Sequence, residues 1–599
     1  MQASSSSLVD LRAVLAEVPL FAGLDEEELG ALSALADRQD LRSGARLYKE
    51  GDPSTHGYVV VRGRLRETSD GELLGYIGRL EPVGEIGIQM DEPRSSTIRA
   101  VRDSILLRFD KEDLLGFLDH HPAVQRALSR LMIVRLREQG RVRVQGATEV
   151  HGTLAVIPAS PDLPVMALAE ALVRRLSGWP DARLITAAHV DATLGQGAAQ
   201  APLSDDEGST RLAAWMNELE SRHRYVVYAA DSDRDAWALR SLHNADRVLV
   251  LTEASARPRP VRVLQELRSL GLLAPVELVF LRPVGDSAPH TSAWMDVTGA
   301  RARYFVHPWD EAELASLARQ VAGHGVGVVL GGGGARGFAH IGLIRALEEL
   351  RVPVDVAGGT SMGAFLSALL ALGLDSVEMV HVARETFIRN NFLNDYALPR
   401  VSLIRGRKFS ARLAEIFGDR QIEELRRTFF CVSTNLTTGA PVVHDRGPLS
   451  VWVGTSMAVP GIAPPVAYEG ELLCDGGVLD NLPTGVMQRL ERGAIIASNV
   501  STDGYLRAPG SGVGAPDPEA LLRHGSMDAP PRISEILVRS AMLSSATSVD
   551  LAAERADVYV RMPSQEFGIF DWKRLDDLVE LGYRHALERL APVRDTLVS

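Results

Sequence analysis

The chain is 599 residues long, which at about 150 residues per domain argues for three or four domains. Hydrophobic residues make up 46% and charged residues 24%, the balance of a globular protein, so disordered and fibrous classes are excluded. Acidic residues outnumber basic ones 77 to 64, and the net charge of −13 excludes a surface that grips nucleic acid throughout, leaving only local basic patches.

The Ser-rich start, with Asp10, Arg12 and Glu17 in the first apolar stretch, lacks the basic region and apolar core of a secretory signal. Residues 8–145 read as a helix, a run of short strands with turns, and then helices. Gly57-Tyr-Val-Val-Val-Arg-Gly63 is a β-rich strand closed by a glycine, and Asp70-Gly71 is a turn signal. From Asp110 to Leu136, apolar residues recur at helical spacing (Leu114, Leu115, Leu118, Val124, Leu128, Leu131). A β-barrel followed by helices fits this order. Within it, Val83-Gly-Glu85-Ile-Gly-Ile-Gln-Met-Asp-Glu-Pro-Arg94-Ser-Ser-Thr-Ile98 sets an acid and an arginine nine residues apart. With Tyr48-Lys-Glu-Gly-Asp52 and Val61-Arg-Gly63, this segment resembles the phosphate-binding cassette of cyclic nucleotide-binding domains. The resemblance implies cAMP or cGMP as a regulatory ligand. Glu85 would accept the ribose 2′-hydroxyl and Arg94 would pair with the cyclic phosphate. Backbone N–H groups near Gly84 to Gly87 and the Ser95 hydroxyl would complete the cradle. Ser95 and Ser96 do not choose adenine over guanine.

Residues 150–320 alternate strand-like runs (Leu154–Ile157, Arg183–Thr186, Tyr225–Tyr228, Arg247–Leu251, Glu277–Leu281) with helical patterns such as Met166 to Leu176 and Thr210 to Leu219. This alternation predicts a doubly wound, Rossmann-like parallel sheet. The turn after its first strand, Ala159-Ser-Pro-Asp-Leu163, has neither the glycines nor the lysine of a phosphate-binding P-loop. A structural or interaction role is therefore expected, whether transmitting strain, mediating a homodimer or spacing the ends.

Residues 324–599 form a second α/β unit, interrupted by a Gly/Pro-rich stretch from Gly504 to Pro531 that reads as a surface loop. Its strand Val326–Leu330 runs into Gly331-Gly-Gly-Gly-Ala-Arg-Gly337, followed by a helical pattern (Ile341, Ile344, Leu347, Leu350). Glycines at a strand-to-helix turn expose N–H groups that can hold a phosphate or an oxyanion. The spacing Gly332-x-Gly334-x-x-Gly337 also satisfies the dinucleotide fingerprint, with Asp355 placed 18 residues later as a ribose-binding acid. A dinucleotide-dependent oxidoreductase is the rival reading.

Against it stands Gly359-Thr-Ser361-Met-Gly363, preceded by the strand-like Val352–Val356 and followed by an apolar helix. This is the strand–GxSxG–helix context of a nucleophile elbow. The apolar run it opens, Met362 to Leu374, reaches about half to two-thirds of the roughly 20 residues of a membrane span. Asp475-Gly-Gly477, just past a short strand, is a β-turn by itself and a candidate general base beside an elbow serine. Of the histidines, His340 and His444 precede Asp475, His524 lies in the Gly/Pro-rich loop and His585 in a terminal helix. Each reads as a surface or core residue. The two cysteines, Cys431 and Cys474, are too few for a disulfide framework, and a reduced, cytoplasmic setting is expected.

Gly331–Gly337, Gly359–Gly363 and Asp475–Gly477, in this order and spacing, resemble the patatin-like phospholipases. The likeness extends to Asp395-Tyr-Ala-Leu-Pro399, Ser456-Met-Ala-Val-Pro460 and Pro464-Pro465. With two upstream domains, the arrangement is similar to the bacterial branch of the neuropathy target esterase group, without the transmembrane segment of its animal members. The resemblance implies a Ser–Asp dyad with Ser361 as nucleophile, Asp475 as base and no catalytic histidine. It also implies an oxyanion hole from the N–H groups of Gly332, Gly333 and Gly334, with Arg336 fixing the glycine loop. The expected substrate is a phospholipid or lysophospholipid, with peripheral contact on the inner face of the membrane. No calcium-loop motif is present, and catalysis without a metal or cofactor is expected. Arg400, Arg405, Arg407 and Lys408, beside Pro399, Ile404 and Phe409, read either as a solvated loop or as a surface that meets anionic headgroups while its apolar residues dip in. A signalling protein with an inactive hydrolase domain is a third reading, opposed by the intact Ser361 and Asp475.

Overall fold

The computed structural model describes residues 11–137, 152–501 and 533–598, apart from short stretches at 70–71, 177, 179–180, 203–206, 232–234, 263, 266–273, 283–287, 308–309, 391–393, 399, 491 and 547–548. The Gly504–Pro531 stretch, His524 and the Asp70-Gly71 turn signal lie outside the described residues. The chain divides into two compact units, Met1–Asp286 with Ala293–Ala315, and Ser287–Ser292 with Ser316–Ser599.

The first unit begins with two four-stranded antiparallel sheets. One runs Ala36–Leu41, Ser104–Asp110, His56–Arg62, Pro82–Val83, and the other Arg46–Tyr48, Thr97–Ala100, Leu65–Ser69, Glu72–Ile77. The strand His56–Arg62 shows why they pack together. Tyr58 and Val60 point to one side, into a core with Leu65, Ile77, Ile98 and Leu106, while Val59 and Val61 point to the other, against Phe117, Leu118, Val124 and Leu128 of the helices. The helical spacing from Asp110 to Leu136 is two helices, Lys111–His120 and Pro122–Arg137. His121 sits at φ −125° and ψ 73°, because the ring of Pro122 disfavours a helical conformation in the residue before it.

A six-stranded sheet follows in the order Ala182–Thr186, Tyr225–Ala229, Gly152–Pro158, Arg247–Glu253, Val276–Leu281, Ala302–Val306, with every neighbouring pair parallel. The doubly wound expectation holds for the five predicted strands. The sixth, Ala302–Val306, is an edge strand whose Arg303 interrupts the apolar run. Within this unit Arg102 is buried between Glu220, whose Oε2 accepts from its Nη1 at 2.7 Å, and Asp246, ion-paired to Nε at 2.9 Å. Burial opposes the Arg102 charge, and the two carboxylates outweigh it.

The second unit is built on an eight-stranded sheet. Its main path runs Val466–Tyr468, Glu471–Asp475, Thr428–Asn435, Val356–Thr360, Gly325–Leu330, Gly493–Asn499, Val558–Arg561, and Ala440–His444 pairs with Thr428–Asn435. The five strands from Thr428–Asn435 to Val558–Arg561 are parallel, and the strands beyond Thr428–Asn435 are antiparallel. Parallel strands covered on both faces need continuous apolar runs, and Val326, Val328, Val329 and Leu330 are all fully buried. The apolar run opened by the elbow is the helix Met362–Leu372, buried over ten consecutive residues in the core rather than facing lipid. No described helix is long and apolar enough to cross a membrane.

Candidate active site

The carboxyl ends of Gly325–Leu330 and Val356–Thr360 bring the glycine loop and the elbow together. Ser361 occupies the turn between its strand and the helix Met362–Leu372 at φ 56° and ψ −123°, a left-handed conformation costly for a residue with a side chain. The flanking glycines make that turn sterically attainable. A Cβ on Gly359 would lie 2.5 Å from the Leu330 carbonyl oxygen, and one on Gly363 only 1.9 Å from the same atom. The Ser361 N–H donates to Ser456 Oγ at 3.0 Å, and Ser456 Oγ donates to the Val432 carbonyl at 2.7 Å. The strained turn is thereby tied to the next strand.

Ser361 Oγ donates to Asp475 Oδ2 at 2.7 Å. Asp475 closes the strand Glu471–Asp475, opposite Ser433 in the antiparallel pair with Thr428–Asn435. Its other oxygen accepts from the Gly477 N–H at 2.8 Å. The aspartate is fully buried, and this burial pushes its carboxyl up to about 7, against the lowering effect of the bonds from Ser361 and Gly477. Gly476 lets the strand end pass close to its neighbour, since a Cβ there would lie 2.2 Å from the Val432 carbonyl oxygen.

The three glycines of the loop are not equivalent. Gly332 packs on Ser361, where a Cβ would be 3.0 Å from the serine Cβ, but its N–H donates to Asn481, at 3.3 Å to the carbonyl and 3.2 Å to Oδ1. Asn481 Nδ2 returns a bond to the Gly332 carbonyl at 3.2 Å. The N–H groups of Gly333 and Gly334 have no acceptor among the described residues. Arg336 is buried, and its Nε donates to the Phe567 carbonyl at 2.6 Å, as expected of a residue that fixes the loop.

Asp355 does not serve a ribose. It lies just before its strand, at the amino end of the central strands and opposite the glycine loop, buried and saturated. Oδ1 accepts from Ser316 Oγ at 2.6 Å and from Arg319 Nη2 at 2.7 Å, and Oδ2 accepts from Arg319 Nε and the Val326 N–H at 3.0 Å each. The acid needed by the dinucleotide reading is thus spent on tying a helix to the sheet. His340 is buried between Ser498 Oγ and the Gly331 carbonyl, both at 2.9 Å, and burial lowers it to about 4. His444 is hydrogen-bonded to Ser433 Oγ at 2.7 Å and stacked on Trp452, and burial likewise holds it at about 4. Both act in the core, and His585 is half-buried on the helix Leu575–Leu590.

Ser361 and the glycine loop open into a cavity of about 590 Å³, walled by Phe387, Phe409, Ile462, Met542 and Trp572 among others. Phe387 is carried by a π-helical turn, Arg384–Arg389, and stacks on Trp572 with ring centroids 4.9 Å apart. Ser456, Asn481 and this turn were not picked out as functional from sequence. Ser456 alone carried a signal, standing in the Ser456–Pro460 motif. In the basic cluster, Arg400, Arg405, Arg407 and Lys408 are exposed. Ile404 and Phe409, expected to dip into lipid, are instead buried in the cavity wall, and Pro399 is outside the described residues.

In the amino-terminal barrel, Gly84 turns the chain at φ 79° and Glu85 is buried at the start of the short helix Glu85–Gln89. Arg94 is buried as well, its guanidinium donating to the Gly84 carbonyl at 2.8 Å and to the His56 carbonyl, and lying 4.2 Å from the Tyr48 ring centroid. Its Nε is buried without a hydrogen-bond partner. Ser95 is exposed, whereas Ser96 donates to Glu67 Oε1 at 2.7 Å. Acid, arginine and glycine turn are therefore collected in one place, and the orphaned Nε is a donor that an anionic ligand could satisfy.

Three family models match in chain order: "Cyclic nucleotide-binding domain" over residues 38–121, "Neuropathy Target Esterase family P-loop like domain" over 151–316, and "Patatin-like phospholipase" over 328–487. An uncharacterized NTE family protein of Mycobacterium tuberculosis is 29% identical over 96% of this chain and 95% of its own length. "Lysophospholipase nte1" of Aspergillus terreus is 28% identical over 93% of this chain and 42% of its own length. "Patatin-like phospholipase domain-containing protein 7" of Mus musculus is 29% identical over 92% of this chain and 45% of its own length. With an elbow serine and a glycine loop beside these matched domains, the chain carries the domain set of the neuropathy target esterase group and is similar to its members as an esterase of the phospholipase type.

Proposed function

We propose that the chain is a serine acyl hydrolase that cleaves fatty acyl esters of lysophospholipids or phospholipids through a dyad of Ser361 and Asp475. The observation that carries this reading is the 2.7 Å bond from Ser361 Oγ to a fully buried carboxylate beside an apolar cavity. Asp475 takes the serine proton as Oγ attacks the ester carbonyl. The developing oxyanion is received by the N–H groups of Gly333 and Gly334, each such donor being typically worth about 3–4 kcal/mol. Gly332, whose N–H is held by Asn481, supports the loop and gives the substrate room over the serine. The tetrahedral intermediate collapses, the leaving alcohol takes the proton back from Asp475, and an acyl-serine remains. Water, deprotonated by Asp475, then releases the fatty acid and restores Ser361. The relatives named lysophospholipases support a single-chain lipid as substrate.

Three domains serve this function in our reading: 8–145 as sensor, 150–320 as connector and 324–599 as hydrolase. A cyclic nucleotide is the regulatory ligand of the first. Glu85 holds its ribose and Arg94, leaving the Gly84 and His56 carbonyls, holds its phosphate, with Ser95 and the Gly84 turn beside it. The enzyme acts in the cytoplasm, in peripheral contact with the membrane that supplies its substrate.

The test is fatty-acid release from lysophosphatidylcholine by the native chain, Ser361→Ala and Asp475→Asn, each with and without cAMP or cGMP. Activity confined to the native chain is the expected result, and equal activity of all three would refute the dyad. Calorimetric titration of cAMP and cGMP into the native chain and Arg94→Gln tests the sensor, and heats identical in the two proteins would refute it.

A further inference from the structure

Ile404 and Gly406 line the cavity from a stretch, residues 394–408, that folds back on itself and runs into the first turn of the helix Arg407–Phe417. Tyr396 and Ile404 form an antiparallel bridge, and the Arg405 N–H donates to the Asp395 carbonyl at 2.8 Å. The N–H groups of Leu403 and Ile404 donate to the carbonyls of Gly461 and Ile462, which pins the loop to the cavity wall. Ile404 is turned inward and buried. Tyr396, Leu398 and Val401 are 73%, 73% and 69% exposed, among the most exposed large apolar side chains described. Leaving such groups in water forfeits the free energy of burial, and a cluster of them marks a contact surface.

The same stretch carries Arg400, Arg405, Arg407 and Lys408, all exposed, in a chain of net charge −13. Local positive charge on an acidic protein selects an anionic partner. Two other elements of the cavity wall repeat the pattern. Val451 lines the cavity and is exposed, and the helix Ile533–Ala541, which contributes Val538 and Arg539 to the wall, leaves Ile536 exposed. Apolar side chains thus face outward from several parts of the wall of a cavity suited to a lipid chain, and the cations concentrate on one of them.

We propose that the stretch 394–408, a loop and the first turn of the helix that follows it, docks the protein on a bilayer containing anionic phospholipid. Tyr396, Leu398 and Val401 enter the interface while Arg400, Arg407 and Lys408 meet the phosphates. The proposal rests on the esterase reading of the cavity, because continuity between loop and cavity is what makes a bilayer the occupant. A lipid leaving the bilayer beside Ile404 enters the pocket without crossing water.

The test is vesicle flotation of the full chain on a Ser361→Ala background, so that lipid is not consumed. Vesicles of phosphatidylcholine alone are compared with vesicles of phosphatidylcholine mixed with phosphatidylglycerol. Each cation near an anionic surface is worth about fivefold in binding, so Arg400→Gln/Arg407→Gln should bind the mixed vesicles about 25-fold more weakly and change little on the neutral ones. Leu398→Ser/Val401→Ser should lose binding to both. Neither pair lines the cavity, so on the native background both should still hydrolyse p-nitrophenyl butyrate, a soluble ester. Binding unchanged in both double variants would overturn the proposal. So would a drop in oligomeric state of Leu398→Ser/Val401→Ser without lipid, which would make the patch a contact between copies. Failure of the esterase reading shows separately, as native protein that hydrolyses no ester, because vesicle binding is read without catalysis.

Discussion

The buried carboxyl of Asp475 links catalysis to stability, and Asp475→Asn separates the two. Burial raises this group from the ordinary 3.8 to about 7. Three pKa units at about 1.4 kcal/mol each correspond to about 4 kcal/mol. The sign follows from which state holds the proton more tightly. In the unfolded chain the aspartate releases it near pH 4, while the folded chain keeps it to about 7. The stability this proton contributes is therefore complete below about pH 4 and is lost as pH rises through about 7. Above that, the folded protein carries an ionised carboxylate away from water, and asparagine removes this burden. At pH 8, Asp475→Asn should stabilise the carboxy-terminal unit by up to about 4 kcal/mol, and at pH 5 the advantage should fall to roughly 1.5–2 kcal/mol. The same substitution should lower kcat/KM by about 10²–10⁴-fold, the usual contribution of a general base. In the native enzyme, kcat/KM should fall about tenfold per pH unit below about 7 and level off above. Thermal unfolding of both proteins at pH 5 and 8, with native rates on p-nitrophenyl butyrate across that range, measures all of this. A variant less stable than the native chain at pH 8, or a native rate flat from pH 8 to 5, would refute the reasoning.

Ser456→Ala removes the acceptor of the Ser361 N–H and leaves a buried donor unpaired, at a cost of about 1–3 kcal/mol. A kcat reduced about tenfold with KM little changed is expected in steady-state kinetics. Gly363→Ala places a Cβ 1.9 Å from the Leu330 carbonyl oxygen, so the elbow cannot close, and loss of soluble, cooperatively unfolding protein is expected. Arg102→Met leaves Asp246 buried without its cation and Glu220 with only the more distant Arg62, 3.9 Å away, and urea unfolding should show the first unit destabilised by about 3–5 kcal/mol while ester hydrolysis persists.

What was legible in the sequence follows from how local each constraint is. Gly359–Gly363 can be read because the strained turn, its small neighbours and its flanking strand and helix are contiguous. The barrel and the parallel sheet can be read because period-2 strands and βα alternation repeat along the chain. The break at His121 was also legible, in Pro122 and in the gap of the apolar spacing between Leu118 and Val124. The functions of Asp355 and Gly332 were not legible, because the partners that decide them come from elsewhere. Asp355 sits at ribose-acid spacing from the glycine loop, yet Ser316 and Arg319 saturate it at the opposite, amino end of the strands. Gly332 looks equivalent to Gly333 and Gly334 until Asn481, 149 residues away, takes its N–H. That contact does more than remove one donor. The three bonds between Asn481 and Gly332 hold the first glycine against Ser361, and with Arg336 anchoring the loop's far end, the remaining N–H groups are fixed before any substrate arrives. An oxyanion hole is effective to the extent that its dipoles need no reorganisation. In this site a side chain that spends one donor is what holds the other two in place.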